Sequence, residues 1–321
     1  MPRLRRSNTS GPGIRRVETG NGQVRYLDGD GRVITDPAVL ERIESLVIPP
    51  AWTDVWISPH ETGHIQALGT DQAGRRQYIY HDAWRQRQDR VKFDRAVRLA
   101  EVLPYARRTV TRDLALTEFV RPRAFAAAFR IVDLSGVRIG NEQYLRSNGS
   151  RGLTTLLCRH ITLEGPRVSF SFPAKSGKEW HSTVADAPLA AFLGEVEARR
   201  GPNSRLLAWR DRRWHPLTTT LVNEDIRQRT HEELSAKDFR TLRGTIIAAA
   251  SLAEIGLVDA GRKQDAAIGH AVKATAEALG NTPAVARASY IDPRIFDRYR
   301  SGKLLNTRRA PERALLELLE S

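Results

Sequence analysis

The chain has 321 residues, enough for two domains with buried cores, and its charged content of 27% is ordinary for a globular protein. It carries 51 Lys and Arg against 37 Asp and Glu, and this net charge of +14 indicates a polyanionic partner, either nucleic acid or an anionic membrane surface. No signal peptide or apolar run of membrane-spanning length is visible, which favours nucleic acid. The single cysteine, Cys158, excludes an intrachain disulfide and a cysteine-based zinc cluster, and it fits a reducing cytoplasm.

The N-terminal third of the chain is predicted to be a basic tail followed by a small β domain. Residues 1–16 contain five arginines and no acid, so residues 1–14 are predicted to be a disordered basic tail. Residues 15–91 are predicted to form the β-rich, DNA-binding domain. Its predicted elements are a hairpin of Gln23 to Leu27 and Arg32 to Ile34, a helix started by Asp36 and Pro37, and three strands at Trp52 to Ile57, Gly63 to Gly69 and Arg76 to Tyr80.

The last of these strands alternates long polar and aromatic side chains. This alternation is typical of a half-buried strand with a solvated face, but in a basic protein it equally suits a strand that lies in a DNA groove. In that hypothesis Gln77 contacts base edges, and Tyr78 and Tyr80 lie beside sugars. The residues predicted here to contact DNA are Arg75, Arg76, Gln77, Tyr78 and Tyr80.

The sequence His60-Glu61-Thr62-Gly63-His64 matches the zinc-binding pattern HExxH. That pattern binds zinc only on a helix, where both histidines share a face. Pro59 precedes the pattern and Gly63 interrupts it, between two predicted strands. We therefore predict a loop here and no metal site.

From Lys92 the apolar spacing becomes helical, and residues 92–321 are predicted to form a larger, mostly α-helical domain with one β-hairpin. The hairpin runs from Val168 through a turn containing Lys175 to Val184. The fold class is therefore α+β. The predicted helices are Phe93 to Leu103, Leu114 to Phe119, Phe125 to Val132, Pro188 to Arg199, Thr218 to Gln228, Asp238 to Ile255, Gln264 to Leu279 and Ala310 to Leu319.

The stretch from Gly280 to Ile291 predicts a short helix that ends at a tyrosine. Gly280 can end the preceding helix, Thr282 can cap the next one, and Pro283 fits its first turn. Tyr290 then falls at the helix end. A lone tyrosine is usually a buried residue with a bonded hydroxyl. As a nucleophile it needs cationic neighbours, because a phenol with a pKa of about 10 attacks poorly. If Tyr290 is not the nucleophile, Tyr299 is the next candidate.

Three other stretches place a cation in an apolar frame: Arg138 within Gly136–Tyr144, Lys175 in the hairpin turn, and Arg240 within Lys237–Arg243. In this order, and followed by Asn281 and Tyr290, they resemble the type IB DNA topoisomerases, most closely the small bacterial and poxvirus-type members. The resemblance extends from about Ile48 to Tyr290. It rests on Ile-Pro-Pro-Ala-Trp-Thr-Asp-Val-Trp-Ile, His64-Ile65-Gln66-Ala67, Gly74-Arg75-Arg76-Gln77-Tyr78, Lys237-Asp238-Phe239-Arg240-Thr241 and Ser289-Tyr290.

The resemblance implies that residues 92–321 are the catalytic domain, and it implies a mechanism. Tyr290 would attack a DNA phosphodiester, form a 3′-phosphotyrosyl bond and free a 5′-hydroxyl strand that rotates before religation, without ATP. Arg138 and Arg240 would contact the non-bridging oxygens and replace a metal, so no cofactor is implied. Lys175 would protonate the leaving 5′-oxygen, and Asn281 would donate a hydrogen bond to the phosphate.

Asn281 departs from the family pattern, because many relatives have histidine there and asparagine cannot act as an acid. We identify no general base for Tyr290, and water suits that role as well as a side chain does. A tyrosine recombinase is the first alternative, although that class usually has histidine at the position of Lys237 and a helical N-terminal domain. A DNA-binding protein without catalytic activity is the second.

The resemblance further implies a monomer in the cytoplasm, associated with the nucleoid and not with a membrane. Its partner would be duplex DNA, preferably supercoiled. Two basic domains joined by a short linker near Arg90 to Asp94 would close around the duplex as a clamp. Lys237 is predicted to be a further DNA contact.

Overall fold

The computed structural model describes residues 2–20 and 23–321. Met1 of the predicted tail, and Asn21 and Gly22 of the predicted β domain, lie outside the described residues. The chain divides into two compact units, Met1–Val91 and Lys92–Ser321. The predicted α+β class is confirmed, because the first unit contains an antiparallel sheet and the second is mostly helical.

The first unit is built on one antiparallel sheet in the strand order β2-β1-β3-β4-β5. Its core consists of Ile14, Ile43, Val55, Ile57 and Ala67. The first unit is therefore not the helical N-terminal domain that is expected of a tyrosine recombinase. The elements are β1 (Ile14–Glu18), β2 (Val24–Leu27), α1 (Pro37–Ser45), β3 (Thr53–Ile57), β4 (Ile65–Thr70) and β5 (Arg76–Tyr80).

Within the N-terminal segment, for which the sequence predicts a disordered tail, Arg5 and Ser7 are hydrogen-bonded to residues 62–65. The backbone of Arg5 donates to Thr62 O at 2.8 Å and accepts from His64 N at 2.9 Å. The Ser7 amide donates to His64 Nδ1 at 2.8 Å. These hydrogen bonds hold the segment in place. They involve backbone groups, which the polar composition of the segment does not reveal.

The predicted hairpin after β2 is present but short. Leu27 and Val33 form a single antiparallel bridge, and Ile34 N donates to Tyr26 O at 2.9 Å. The start of α1 is as predicted, since Asp36 accepts a hydrogen bond from Ala38 N at 2.9 Å.

Within the described residues, the second unit contains one long helix, nine further α-helices and two small sheets. The predicted hairpin is confirmed and gains a third strand, so that its sheet has the order β6-β7-β8. The elements are α2 (Asp82–Leu114, which begins before the boundary between the units), α3 (Arg121–Ser135), α4 (Glu142–Asn148), β6 (Ile161–Glu164), β7 (Arg167–Pro173), β8 (Glu179–Ala185), α5 (Ala187–Arg199), β9 (Ala208–Arg210), β10 (Trp214–Pro216), α6 (Thr219–Thr230), α7 (Ala236–Ile255), α8 (Arg262–Leu279), α9 (Pro283–Tyr290), α10 (Arg294–Arg300) and α11 (Pro311–Glu320).

Two predicted features around α2 are wrong. The expected linker from Arg90 to Asp94 lies inside α2. The expected helix from Leu114 to Phe119 is absent, because α2 ends at Leu114 and Glu118 adopts a left-handed conformation with φ of 64°.

Helix α3 lies at the centre of the second unit. Its residues from Ala124 to Phe129 are all at most 3% exposed, and Phe129 packs edge-to-face on Phe239 of α7. This central packing fixes the C-terminal end of α3, where the candidate site begins. Within the described residues, no helix combines the length and apolarity needed to cross a bilayer.

Candidate active site

Helix α9 presents Tyr290 at its last position. Gly280 ends α8 in the left-handed conformation, with φ of 61°. Thr282 Oγ1 accepts from Val285 N at 3.4 Å and caps α9, as the sequence predicted. Tyr290 is half-buried at the end of this helix.

A close contact between α7 and the end of α9 fixes the Tyr290 backbone. A Cβ atom on Gly244 would lie 2.5 Å from Tyr290 O and 3.1 Å from Tyr290 Cβ, so the contact requires glycine. The next residue, Thr245, donates from Oγ1 to Tyr290 O at 3.4 Å and accepts from Asp292 N at 3.0 Å. The backbone is therefore held at Tyr290 itself and two residues after it.

The Arg240 guanidinium is buried beside the Tyr290 ring, with Cζ 4.9 Å from the ring centroid. Its Nη1 donates to Gly136 O and its Nη2 donates to Leu279 O at 2.9 Å. These carbonyls lie at the C-terminal ends of α3 and α8, where helix dipoles favour a cation. Among the described residues, the buried Nε of Arg240 has no hydrogen-bond acceptor. One donor therefore stays available for an anion.

Arg138 follows the C-terminus of α3 and contacts Asn281. Its Nη2 donates to Asn281 Oδ1, while the buried Asn281 Nδ2 has no partner in the described part of the chain. The Arg138 backbone is fixed, because its carbonyl accepts from Leu153 N at 2.9 Å. A Cβ atom on Gly140 would lie 2.8 Å from Gly152 Cα, so the two glycine backbones pack directly.

The charges around Tyr290 control its ionisation. Burial raises the pKa of Tyr290, but the positive charges of Arg240, Arg138 and Lys237 outweigh it, so the pKa lies below the usual value. Burial, together with the charge of Arg138, lowers the pKa of Arg240 to about 10. Burial also lowers the pKa of Arg138. The structure thus brings together four predicted residues and Lys237, in an arrangement that favours the phenolate.

Lys175 lies apart from this group. It is exposed in the turn between β7 and β8, and no described residue links it to Tyr290 or the arginines. The hairpin itself does approach the site, because a Cβ atom on Gly280 would lie 3.0 Å from Trp180 Cδ1. Lys175 is therefore carried by an element that packs beside Asn281, with its ammonium group in solvent.

Strand β5 of the first unit carries the other predicted DNA contacts. Arg76, Tyr78 and Tyr80 share one face and are exposed. The two tyrosine rings are stacked, with centroids 5.9 Å apart. A basic and aromatic edge strand of this kind suits a polyanion that also offers apolar surface.

Gln77 and Arg75 are both bonded to Asp71. Gln77 Nε2 donates to Asp71 Oδ2 at 2.8 Å, and Arg75 Nε donates to the same oxygen at 2.9 Å. Gln77 alternates with the exposed residues of β5 and so lies on the opposite face of the strand. The prediction that Gln77 contacts base edges does not fit this orientation.

Arg243 is a further cation of α7, three residues after Arg240, that the sequence did not single out. A Cβ atom on Gly136 would lie 2.9 Å from Arg243 Cδ, so this side chain packs against the residue that anchors Arg240. Its buried Nε has no acceptor among the described residues, and burial lowers its pKa. The sequence feature that indicates this position is the spacing of Arg243 from Arg240, because residues three apart on a helix share a face.

Two other sequence candidates take structural roles. The HExxH segment lies in a turn and not on a helix, and His64 Nδ1 accepts from Ser7 N. Tyr299, the alternative nucleophile, is 1% exposed and its hydroxyl donates to Gly256 O at 2.9 Å. Among the described residues, no group of three or more metal-ligating side chains has the geometry to hold a metal ion.

The sequence matches two family models and a viral relative. Residues 81–306 match the family model of the eukaryotic DNA topoisomerase I catalytic core, and residues 23–71 match that of the bacterial DNA topoisomerase IB N-terminal domain. The DNA topoisomerase 1B of Acanthamoeba polyphaga mimivirus is 27% identical over 294 residues, which cover 87% of this chain and 85% of the viral protein. The catalytic-core match includes Arg138, Lys175, Arg240, Asn281 and Tyr290.

Proposed function

The chain belongs to the type IB DNA topoisomerase family, and from that premise we propose that it relaxes supercoiled duplex DNA through a transient 3′-phosphotyrosyl bond at Tyr290. The observation that carries the proposal is the Arg240 guanidinium, held 4.9 Å from the Tyr290 ring with one buried donor unpaired. A phosphate placed there meets a cation that is already oriented.

The chemistry is a displacement at phosphorus. Tyr290 Oη loses its proton to water and forms a bond to phosphorus, while the bond from phosphorus to the 5′-oxygen breaks. Arg138 and Arg240 stabilise the charge on the equatorial oxygens, and their planar donors suit that distribution. The reverse displacement religates the strand, and the ester conserves the energy of the cleaved bond, so ATP is not required.

Asn281 is proposed to donate to a non-bridging oxygen. Its Oδ1 accepts from Arg138, which orients the amide, and its unpaired Nδ2 is then the donor that remains. This assignment needs no proton transfer and therefore suits asparagine.

Lys175 is proposed to be the general acid for the leaving 5′-oxygen. Support comes from its place in a turn whose hairpin packs against Gly280, next to Asn281. The ammonium group must approach the leaving oxygen when DNA binds, and a turn is the kind of element that can move.

Duplex DNA is the proposed partner of both units. Arg76, Tyr78 and Tyr80 of β5 and Lys237 of α7 are exposed and carry the positive or aromatic groups that such contacts use. We propose that the enzyme acts as a monomer on supercoiled DNA in the cytoplasm.

A plasmid assay tests the proposal. Incubation of the chain with supercoiled plasmid, in EDTA and without ATP, is expected to yield relaxed topoisomers. Tyr290→Phe keeps the ring packing but is expected to bind DNA without forming a covalent adduct on denaturing gels. Tyr105→Phe alters an exposed tyrosine and is the matched control. A Tyr290→Phe adduct would refute the assignment of the nucleophile, and binding without relaxation by the wild type would refute the activity.

A further inference from the structure

A basic pocket of about 630 Å³ lies in the first unit, between the N-terminal segment and the start of α2. We call residues 2–7 the arm and this cavity the arm pocket. The side chains that matter for the inference are Arg3, Arg5, Arg6, His64, Trp84 and Arg87, all of which line the pocket. None of them belongs to the proposed cleavage site.

The arm is fixed by its backbone and not by its arginines. Arg5 forms a parallel bridge with Gly63, through hydrogen bonds of 2.8 and 2.9 Å to the flanking residues. Ser7 Oγ donates to Ile65 O at 2.9 Å and accepts from Ile65 N at 3.1 Å. The arginine side chains therefore project from a defined backbone while they remain exposed.

The arginines of the pocket are uncompensated. Within the described residues, the side chains of Arg3, Arg5, Arg6 and Arg87 make no hydrogen bond or ion pair, whereas most arginines of the second unit are paired. Among the residues that the structure describes, no acidic residue lines the pocket. Several cations so close together without carboxylates favour an anion with several charges.

Trp84 supplies an aromatic surface next to these cations. Its ring meets His64 edge-on, with centroids 4.9 Å apart and an interplanar angle of 72°. His64 is itself held, since its Nδ1 accepts from Ser7 N. The indole is thus oriented and half-buried at the wall of the pocket.

We propose that the arm pocket binds single-stranded DNA, with a base stacked on Trp84 and the adjoining phosphates on the arginines. An aromatic platform beside a positive groove is the arrangement that binds unpaired strands. A base within a duplex is stacked on both faces and cannot reach the indole. The inference rests on the proposed function only in taking DNA as the nucleic acid.

The test compares two fluorescent probes, an oligothymidylate and a duplex of equal length, by anisotropy. The Tyr290→Phe chain is used so that no covalent complex forms. Trp84→Leu is expected to weaken oligothymidylate binding at least about fivefold and duplex binding much less, whereas Trp84→Phe restores binding. Equal losses for both probes, or no rescue by phenylalanine, would overturn the stacking role.

The arginines are tested by charge. The double variant Arg3→Gln, Arg6→Gln is expected to reduce the salt dependence of oligothymidylate binding by about 1.4 in the logarithmic slope. The matched control removes two exposed arginines of the second unit, Arg212→Gln and Arg213→Gln. Equal effects of the two pairs would overturn the proposal. Plasmid relaxation by the same variants in the wild-type background reports separately on the proposed function.

Discussion

At the scale of single residues, Tyr290 is controlled by a balance between burial and charge. Because its pKa is lowered, the phenolate forms at a lower pH than in a free tyrosine, whose pKa is about 10. We expect the ultraviolet difference titration between the wild type and Tyr290→Phe to have its midpoint below that value. Arg240→Met should move the midpoint upwards, since it removes the nearest cation. A midpoint above 10 in the wild type would contradict this account.

Lys175 offers a second test at this scale. General acid catalysis is typically worth about 10²–10⁴-fold, so Lys175→Ala is expected to slow cleavage by that factor with little change in DNA binding. A substrate with sulfur at the 5′-bridging position should cleave almost equally fast with both proteins, because a thiolate leaves without a proton. Lys178→Ala, in the same exposed turn, is the control. If Lys175→Ala is as impaired on the sulfur substrate as on the ordinary one, Lys175 stabilises charge on the phosphate and is not the general acid.

The sequence predicted these candidate catalytic residues through their order and the family resemblance. The sequence could not predict what holds Arg240. The acceptors are the backbone carbonyls of Gly136 and Leu279, and residue type does not show which carbonyl accepts a hydrogen bond. Arg243 was missed for a related reason. Its spacing from Arg240 alone does not distinguish it from a surface arginine until its packing against Gly136 is known.

At the scale of elements, three helices meet at one ion-pair network. Arg107 of α2 donates to both carboxylate oxygens of Asp133 in α3, at 2.8 and 2.9 Å, and to Glu312 of α11 at 2.6 Å. Asp133→Ala should lower the free energy of unfolding by about 2–4 kcal/mol. The full penalty of an orphaned charge does not apply, because Arg107 keeps Glu312.

Chemical denaturation measures this change. The exposed pair of Arg98 and Glu232 is the comparison, and Glu232→Ala is expected to cost less than about 1 kcal/mol. Similar losses for the two variants would show that burial does not strengthen the network.

Helix α2 shows why element boundaries escaped prediction. The helix predicted to end at Leu103 continues through Pro104 to Leu114. The buried residues Leu99, Leu103, Ala106 and Val110 continue at helical spacing across the proline, so core packing outweighs one lost hydrogen bond. The polar first turns of α2 have no apolar periodicity, so the sequence could not place the start at Asp82.

At the scale of the whole molecule, the positive charge is uneven. Residues 92–321 contain 38 Lys and Arg against 26 Asp and Glu, whereas residues 1–91 contain 13 against 11. The first unit is thus only weakly basic as a whole. We propose that its cations act through their placement, in the arm and on β5.

Salt titration of duplex binding tests that placement. The affinity should fall steeply with salt, because each neutralised phosphate contributes about 0.9 to the logarithmic slope. Arg76→Gln on β5 is expected to reduce the slope by about that amount. Arg32→Gln, at an exposed turn beside Asp30, should leave it unchanged. A nearly flat response in the wild type would exclude phosphate contacts as the main source of affinity.

The contact between Trp180 and Gly280 has a kinetic consequence. It joins the hairpin that carries Lys175 to the turn that carries Asn281, and Gly280→Ala would strain both the left-handed backbone and this contact. Cleavage and religation pass through the same transition state in opposite directions. The variant should therefore slow both steps by the same factor and leave the equilibrium fraction of covalent complex unchanged, which quenched-flow measurements of the two rates would reveal. An altered fraction would mean that the contact favours one side of the reaction.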